Sequence, residues 1–365
     1  MADQDRELID GAEAIARGAL DAGCDFFAGY PITPASGILM HMLRELPKVG
    51  GTGIQGEDEI ASIGFCIGAA LAGARSMTAT SGPGLALYAE NIGVGVMTEV
   101  PLVIVVVQRL GPATGAATAG AQGDVQFIRW GTSGGYPIIA LSPTDAAEAY
   151  HLTVRAFQLA RRYRVPVFVA TDKEVVMTAD TISADRMAHQ PRDWPAVPDE
   201  PIGAPLPTFA PGAPLVRFNA SSHDPGGYIT KDAATLDALN RHLAAKISDH
   251  AAELELVRLD SQSGARTLVI SYGVSARSAD DAVAAARSEG RRVSGLNLYS
   301  LWPVPEAAIR AAASGTDRVI VAELNMGQYR REIERVLGPD KDVVGVHRVD
   351  GGLIAPAEIA SEVLP

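Results

Sequence analysis

Cysteine is scarce: only Cys24 and Cys66 occur in 365 residues. Both sit in apolar company and no CxxC exists, so the chain cannot by itself hold an iron–sulfur cluster or a four-cysteine zinc site. Buried free thiols in a reducing cytoplasm are the plain expectation. Positive charge is short as well: 31 Lys and Arg against 43 Asp and Glu leave a net charge of −12. That balance argues against nonspecific binding to nucleic acid or an anionic membrane. No uncharged apolar run reaches membrane-spanning length, and the longest, over residues 94–107, is broken by Glu99 and Pro101. The opening MADQDRELID is polar and acidic rather than a secretory signal. Low-complexity segments and short-period repeats are missing. A hydrophobic content of 47% with 20% charge fits a packed globular protein, long enough for two or three domains.

What is present is organised around residues 53–84, GIQGEDEIASIGFCIGAALAGARSMTATSGPG. The stretch reads as strand, acidic turn, small-residue helix, short strand, and a Ser-Gly-Pro-Gly turn opening another helix. Glu57, Asp58 and Glu59 stand at the mouth of a helix with no further charge until Arg75. Acids there complement the positive helix end, which accounts for two of them. Glu59 lies beside Ile60 and one turn before Ile63 and Gly64, a placement that faces a neighbour. A carboxylate held in apolar surroundings exchanges a proton near neutrality. The alternative is a solvated first turn.

In chain order, residues 5–22 carry Leu8, Ile9, Ala12, Ile15, Ala16 and Leu20 at helical spacing, closed by Gly23. CDFFAGY reads as a strand, PITPAS as a turn into a helix, GTGIQ as a strand, then a helix to Gly73, SMTAT as a strand, and a helix to about Gly95. PLVIVVV is the clearest strand, a β-branched run suited to burial on both sides. A Gly/Ala/Thr-rich loop follows, then DVQFIRW as helix, YPIIAL as strand, a helix over 143–164 and VPVFVAT as strand. Strands alternating with helices predict an α/β domain with a parallel sheet covered on both faces, residues 1–177. Over residues 178–262 the composition changes, and PRDWPAVPDEPIGAPLPTFAPGAPL is proline-dense and aperiodic. It reads as an ordered connection anchored by Trp194, Leu206, Phe209 and Leu215, a disordered linker being the alternative, and a charged helix follows over 233–256. From 263 to 365 the rhythm returns: RTLVISYG, RRVSGLNLYSL, DRVIVAEL and VVGVHRV as strands with helices between them, a second and smaller parallel α/β domain.

Four places carry candidate chemistry, each following a strand of the first sheet, where ligands of open parallel sheets bind. The loop GYPITPAS offers the Thr33 hydroxyl between stiffening prolines; an ordinary βα turn is the alternative. The acidic helix start offers Glu59. TATSGPG, residues 78–84, presents backbone N–H groups to an anion or polar ring; it is neither a GxGxxG nor a Walker loop, and it lacks the GxSxG elbow. The fourth, QRLGPATGAATAGAQGD, begins with Arg109 at the end of the most buried strand. A permanent cation there needs a partner. A substrate carboxylate bound bidentately fits, as does a salt bridge to an acid of this chain. The small-residue loop beyond it is suited to closing over a ligand.

The series GYPITPAS, GEDEIASIGFCIGAALAG, TATSGPG and VPLVIVVVQRLGPATG, with the later VISYGVSARSADDAV, GLNLYSLWPVP, VIVAELNMGQ and HRVDGGLIAP, resembles the α subunit of the 2-oxoacid:ferredoxin oxidoreductases, especially the 2-oxoglutarate type. The resemblance spans nearly the whole chain and is weakest in the proline-rich middle. It implies a pyrimidine-binding domain for thiamine diphosphate and a transketolase-C-terminal-like domain. Glu59 then matches the glutamate at the aminopyrimidine N1′, where a carboxyl group supports removal of the cofactor's C2 proton. Thr33 matches a hydroxyl near the substrate carbonyl, and Arg109 the arginine that pairs with the oxoacid carboxylate. Pro31, Ile32, Thr80, Ser81 and Gly82 are the implied cofactor contacts around Glu59.

Thiamine enzymes hold the diphosphate through Mg²⁺ with a GDG segment and a later Asn. No GDG occurs here, and the lone Gly123-Asp124 is followed by Val125. The resemblance therefore implies a β subunit carrying the diphosphate, Mg²⁺ and a [4Fe–4S] cluster, this chain being half of a composite site and inactive alone, in an (αβ)₂ or larger assembly. A γ domain fused to this subunit in some relatives is not expected within 365 residues. The implied reaction is oxidative decarboxylation of a 2-oxoacid with CoA to acyl-CoA and CO₂, reversible in principle, with electrons passing to ferredoxin. 2-Oxoglutarate is favoured; pyruvate, branched-chain and aryl oxoacids stay open. For a second substrate carboxylate the available cations are Arg129, Arg277 and His223. The rival readings are another split thiamine enzyme, of the dehydrogenase or sulfopyruvate decarboxylase kind, and a non-catalytic α/β binding subunit.

Overall fold

The computed structural model describes residues 6–191, 194–203 and 215–365. Its first half runs β1 (Arg6–Asp10), α1 (Gly11–Asp21), β2 (Phe26–Gly29), α2 (Ser36–Glu45), β3 (Thr52–Gln55), α3 (Glu59–Leu71), β4 (Ser76–Thr80), α4 (Gly82–Met97) and β5 (Leu102–Gln108). It continues with α5 (Val125–Trp130), β6 (Ile139–Leu141), α6 (Ala146–Tyr163), β7 (Pro166–Asp172), α7 (Lys173–Met177), β8 (Ala179–Ser183) and α8 (Ala184–Ala188). After the proline-rich stretch come α9 (Ala233–Ser248), α10 (Ala251–Leu254), β9 (Val257–Asp260), β10 (Thr267–Ser271), α11 (Ser275–Ser288), β11 (Val293–Leu298) and β12 (Ser300–Trp302). The chain closes with α12 (Glu306–Ala312), β13 (Arg318–Glu323), α13 (Arg330–Leu337), β14 (Asp342–His347) and α14 (Pro356–Ala360).

β5 and β7 are buried at every position, as β-branched runs are when helices cover both faces of a sheet. They form the centre of a seven-stranded sheet ordered β12-β6-β7-β5-β4-β2-β3, parallel except for β12. A second, five-stranded sheet is ordered β14-β13-β10-β11-β9, with only β9 antiparallel. Aspartates set the helix starts: Asp10 accepts from Glu13 N at 2.8 Å, Asp58 from Ala61 N at 2.7 Å and Asp145 from Glu148 N at 2.9 Å. Both cysteines are buried free thiols. Burial pushes Cys66 up to about 12, so it stays protonated and inert.

The structure corrects the sequence reading in four places. The predicted helix over 5–22 begins only at Gly11, because Arg6–Asp10 pairs antiparallel with β8 and leaves Leu8 exposed. The strand read from RRVSGLNLYSL divides at Tyr299: β11 stays in the second sheet, and β12 crosses to pair with β6 of the first. The charged helix ends at Ser248, and Val257–Asp260 already belongs to the second sheet, ahead of residue 263. In the proline-rich connection Trp194 is a buried anchor, its ring 5.1 Å from that of Tyr299. Leu215 is exposed, and Leu206 and Phe209 lie outside the described residues.

A buried polar junction joins the two sheets. Asp172, at the end of β7, accepts from Val274 N at 2.6 Å and from Gln122 Nε2 at 3.3 Å. Gln122 also receives Ser275 Oγ at 3.1 Å and Leu324 N at 2.9 Å, and its carbonyl takes Asn325 Nδ2 at 2.8 Å. Desolvation raises the Asp172 carboxyl to about 7, against the pull of the Val274 N–H. Its native pKa thus lies above the unfolded value of about 3.9. This group's contribution is full below that value and is lost as pH rises through about 7, by at most about 1.4 kcal/mol per pH unit. Asp172→Asn should flatten that slope, read as urea midpoints at pH 5 and pH 8. An unchanged slope would place the titration elsewhere.

Candidate active site

β5, β4, β2 and β3 lie side by side and parallel. The loops leaving their carboxyl ends therefore gather along one edge of the sheet. All four sequence-predicted places lie on that edge.

Glu59 opens α3 and is 7% exposed, whereas Glu57 faces water and Asp58 caps the helix. Its carboxylate is packed against the head of α4. A Cβ on Gly84 would fall 2.7 Å from Glu59 Cγ and 2.0 Å from Thr80 Oγ1, so glycine alone permits this approach. Thr80 and Ser81 are fully buried, and Ser81 occupies the N-cap of α4 without a side-chain capping bond. In the first loop Pro31 is exposed, Ile32 packs partly against the core, and the Thr33–Pro34 peptide is cis.

Arg109 is buried at the end of β5 and ties two loops together. Nη1 donates to the Thr33 carbonyl and Nη2 to the Thr114 carbonyl, the latter at 2.9 Å. Among the described residues no carboxylate forms an ion pair with it. The acid that acts on it is Asp124, whose oxygens lie 2.9 and 3.0 Å from where a Cβ of Gly82 would stand, against the first residue of α4. Desolvation pushes the Asp124 carboxyl up to about 6, with Arg109 pulling the other way. Asp124 N donates to Gln108 Oε1 at 3.1 Å.

Four buried polar atoms along this edge have no partner among the described residues: Ser81 Oγ, Gln108 Nε2, Arg109 Nε and Asp124 Oδ2. Buried polar groups are nearly always hydrogen-bonded, so this edge is built to receive a polar ligand. A buried carboxylate, a hydroxyl and an amide beside a glycine-lined helix start fit an aminopyrimidine; the guanidinium fits a carboxylate. Among the described residues no group of three or more His, Cys, Asp and Glu is placed to hold a metal ion.

Of the cations proposed for a second substrate carboxylate, two are engaged by other groups and the third lies away from this edge. Arg129 stacks on Trp130 and donates to the Gly135 and Tyr136 carbonyls. Arg277 sits 3.6 Å from Asp180. His223 lines a cavity of about 450 Å³ with Met97 and Glu99, at the far end of α4. Conversely, Gln108, Asp124 and Asp172 were not singled out by the sequence. Gln108 and Asp172 end buried strands, and Asp124 closes the loop after β5 as the residue before α5.

Residues 17–234 match the family described as pyruvate flavodoxin/ferredoxin oxidoreductase, thiamine diP-bdg, and residues 265–359 match pyruvate:ferredoxin oxidoreductase core domain II. The 2-oxoglutarate synthase subunit KorA of Methanothermobacter thermautotrophicus is 42% identical over 98% of this chain and 98% of its own length. The ketoisovalerate oxidoreductase subunit VorB of the same organism is 35% identical over 98% of this chain and 97% of its own. A solved 2-oxoglutarate:ferredoxin oxidoreductase from Magnetococcus marinus, with 2-oxoglutarate, coenzyme A and succinyl-CoA bound, superposes with a TM-score of 0.89 at 30% identity. That match covers 99% of this chain and 65% of the other, so the chain spans just under two thirds of it.

Proposed function

The chain belongs to the thiamine-diphosphate-dependent 2-oxoacid:ferredoxin oxidoreductase family, and on that premise we propose that it is the α subunit of a cytoplasmic enzyme acting on 2-oxoglutarate. The reaction converts the oxoacid and CoA to succinyl-CoA, CO₂ and a proton, and two electrons leave singly to ferredoxin. The observation that carries this reading is the convergence of buried Glu59 with the Arg109–Thr33 pair on one strand-end edge. The identity to the 2-oxoglutarate relative, 42% against 35% for the ketoisovalerate one, favours the five-carbon dicarboxylate.

Thiamine diphosphate, when bound, supplies the carbanion chemistry that amino-acid side chains lack. Glu59, buried beside Gly84 and Thr80, would hold a proton at the pyrimidine N1′. Ser81 Oγ, the Thr80–Gly82 main chain, Pro31 and Ile32 would hold the pyrimidine ring beside the head of α4. Arg109 binds the oxoacid carboxylate, and its bond to the Thr33 carbonyl sets the Thr33 hydroxyl beside the substrate carbonyl. Positioning of this kind makes the reacting atoms neighbours before chemistry begins.

The diphosphate with its Mg²⁺, and the [4Fe–4S] cluster, belong in this reading to a β subunit within an (αβ)₂ or larger assembly. Its docking face is the apolar surface of three adjoining helices beside the site. Ile60 and Phe65 of α3, Leu87 of α4, and Phe127 and Trp130 of α5 are all exposed there, and α3 carries no charge after Glu59. Exposed apolar clusters of this kind mark protein interfaces. Co-purification tests the assembly: the tagged chain should bring down a brown partner together with thiamine diphosphate. Phe65→Asp should lose both, with an unchanged circular dichroism spectrum. A colourless homo-oligomer without thiamine would refute the composite site.

A further inference from the structure

Arg109 donates to two main-chain carbonyls and keeps a buried Nε with no partner among the described residues, and Asp124, tied by its N–H to Gln108 Oε1 next in sequence, feels its charge without forming an ion pair. Resting on the oxoacid-binding role given to Arg109, we infer that Asp124 is a proton-linked counter-charge, taking up one proton as the substrate carboxylate binds. It is a positioning residue that acts through Arg109.

Without substrate, Asp124 lies under the Arg109 charge with its carboxylate against Gly82 at the head of α4, its Oδ2 buried and without a partner among the described residues. An oxoacid adds a carboxylate beside the same guanidinium. Two carboxylates facing one cation in a desolvated site cannot both stay ionised at low cost, so the less stabilised one takes a proton. Asp124 is that one, because desolvation has already raised it to about 6 and no hydrogen bond holds the charge on its Oδ2.

Other charged groups around it are few. On its own helix Arg129 is turned to the carbonyls of Gly135 and Tyr136. On α3 Glu59 stands beyond Gly84, and on α7 Glu174 meets Gly120 and pairs with Lys173. The second domain presents Gln328 and the Glu332 carboxylate, the latter 3.2 Å from Gln126 Nε2 and acting on Arg129. The α4 start contributes its positive end.

Free Asp124 is mostly ionised above pH 6, and binding lifts it further, so proton uptake is greatest near neutrality and affinity weakens as pH rises. The test is calorimetry of N-oxalylglycine, a decarboxylation-resistant isostere of 2-oxoglutarate, on the purified complex. It is run in two buffers of different ionisation enthalpy, with oxamate as the one-carboxylate control. Wild type should take up close to one proton at pH 7.5, its dissociation constant rising about tenfold per pH unit above 6. Asp124→Asn should take up none and bind with one affinity from pH 6 to 8.

Wild-type binding without proton uptake overturns the inference while leaving the functional reading intact, and this arm needs no variant. Uptake that persists in Asp124→Asn overturns it as well, by assigning the proton to another group such as Glu59. If neither N-oxalylglycine nor oxamate binds, the oxoacid reading itself fails, and this inference with it.

Discussion

Replacing Glu59 by glutamine is expected to remove nearly all activity from the assembled enzyme while leaving its fold and subunit composition unchanged. The amide matches the carboxylate in shape, so the packing against Gly84 and Thr80 survives. What is lost is the acid that shares a proton with the pyrimidine ring. Proton transfer by a positioned side chain is worth about 10²–10⁴-fold, and turnover with any 2-oxoacid should fall by that range. Activity alone cannot separate this role from a general loss of order. The sharper readout is exchange of the bound cofactor's C2 proton in D₂O, followed by acid-quench NMR. Exchange should slow by the same factor with no oxoacid present. Wild-type exchange in Glu59→Gln would mean that the carboxylate is only part of the helix start.

The second large effect is at Arg109. Arg109→Lys keeps the charge but has one ammonium where the guanidinium holds both the Thr33 and Thr114 carbonyls. A planar fork and a point charge are not interchangeable at such a site. Losing a charge-assisted hydrogen bond while the charge stays typically costs about 1.5–3 kcal/mol, roughly 10- to 150-fold, and kcat/KM for the oxoacid should fall accordingly. KM should carry most of the loss, since the contact is made in the bound substrate as well as in the transition state. Binding of thiamine diphosphate should be unaffected, because that contact is assigned to Glu59 and the head of α4. Equal losses of cofactor and oxoacid affinity would show that Arg109 holds the loops together and does not bind substrate.

The parallel sheet was legible because its strands are long apolar runs bounded by turn residues. β5 and β7 announce burial on both faces in a way that few other sequences can. β1 was hidden because Leu8 and Ile9 continue the period of α1, and only pairing with β8, over 160 residues away, makes Arg6–Asp10 a strand. β12 was hidden for a related reason: no local pattern says that a chain leaving one sheet at Tyr299 will enter another.

The site divides along the same line. Glu59 was readable from a third carboxylate that a helix end does not need, and Arg109 from a cation ending a buried strand. Gln108 and Asp124 gain meaning only from strand order, which sets β4 beside β5 and so brings residue 124 against Gly82. Arg129 and His223 were credible by charge alone, but the fold turns one onto Trp130 and leaves the other at the wrong end of α4.

The central claim is that these loops form half of an oxoacid-oxidising site completed by a partner subunit. Its most direct test is viologen reduction by the co-purified complex, with and without CoA, on 2-oxoglutarate, 3-methyl-2-oxobutanoate and pyruvate. The complex should show CoA-dependent reduction that is fastest on 2-oxoglutarate, and the isolated chain should show none. A complex that contains thiamine diphosphate and the partner yet reduces viologen with none of these oxoacids would contradict the claim.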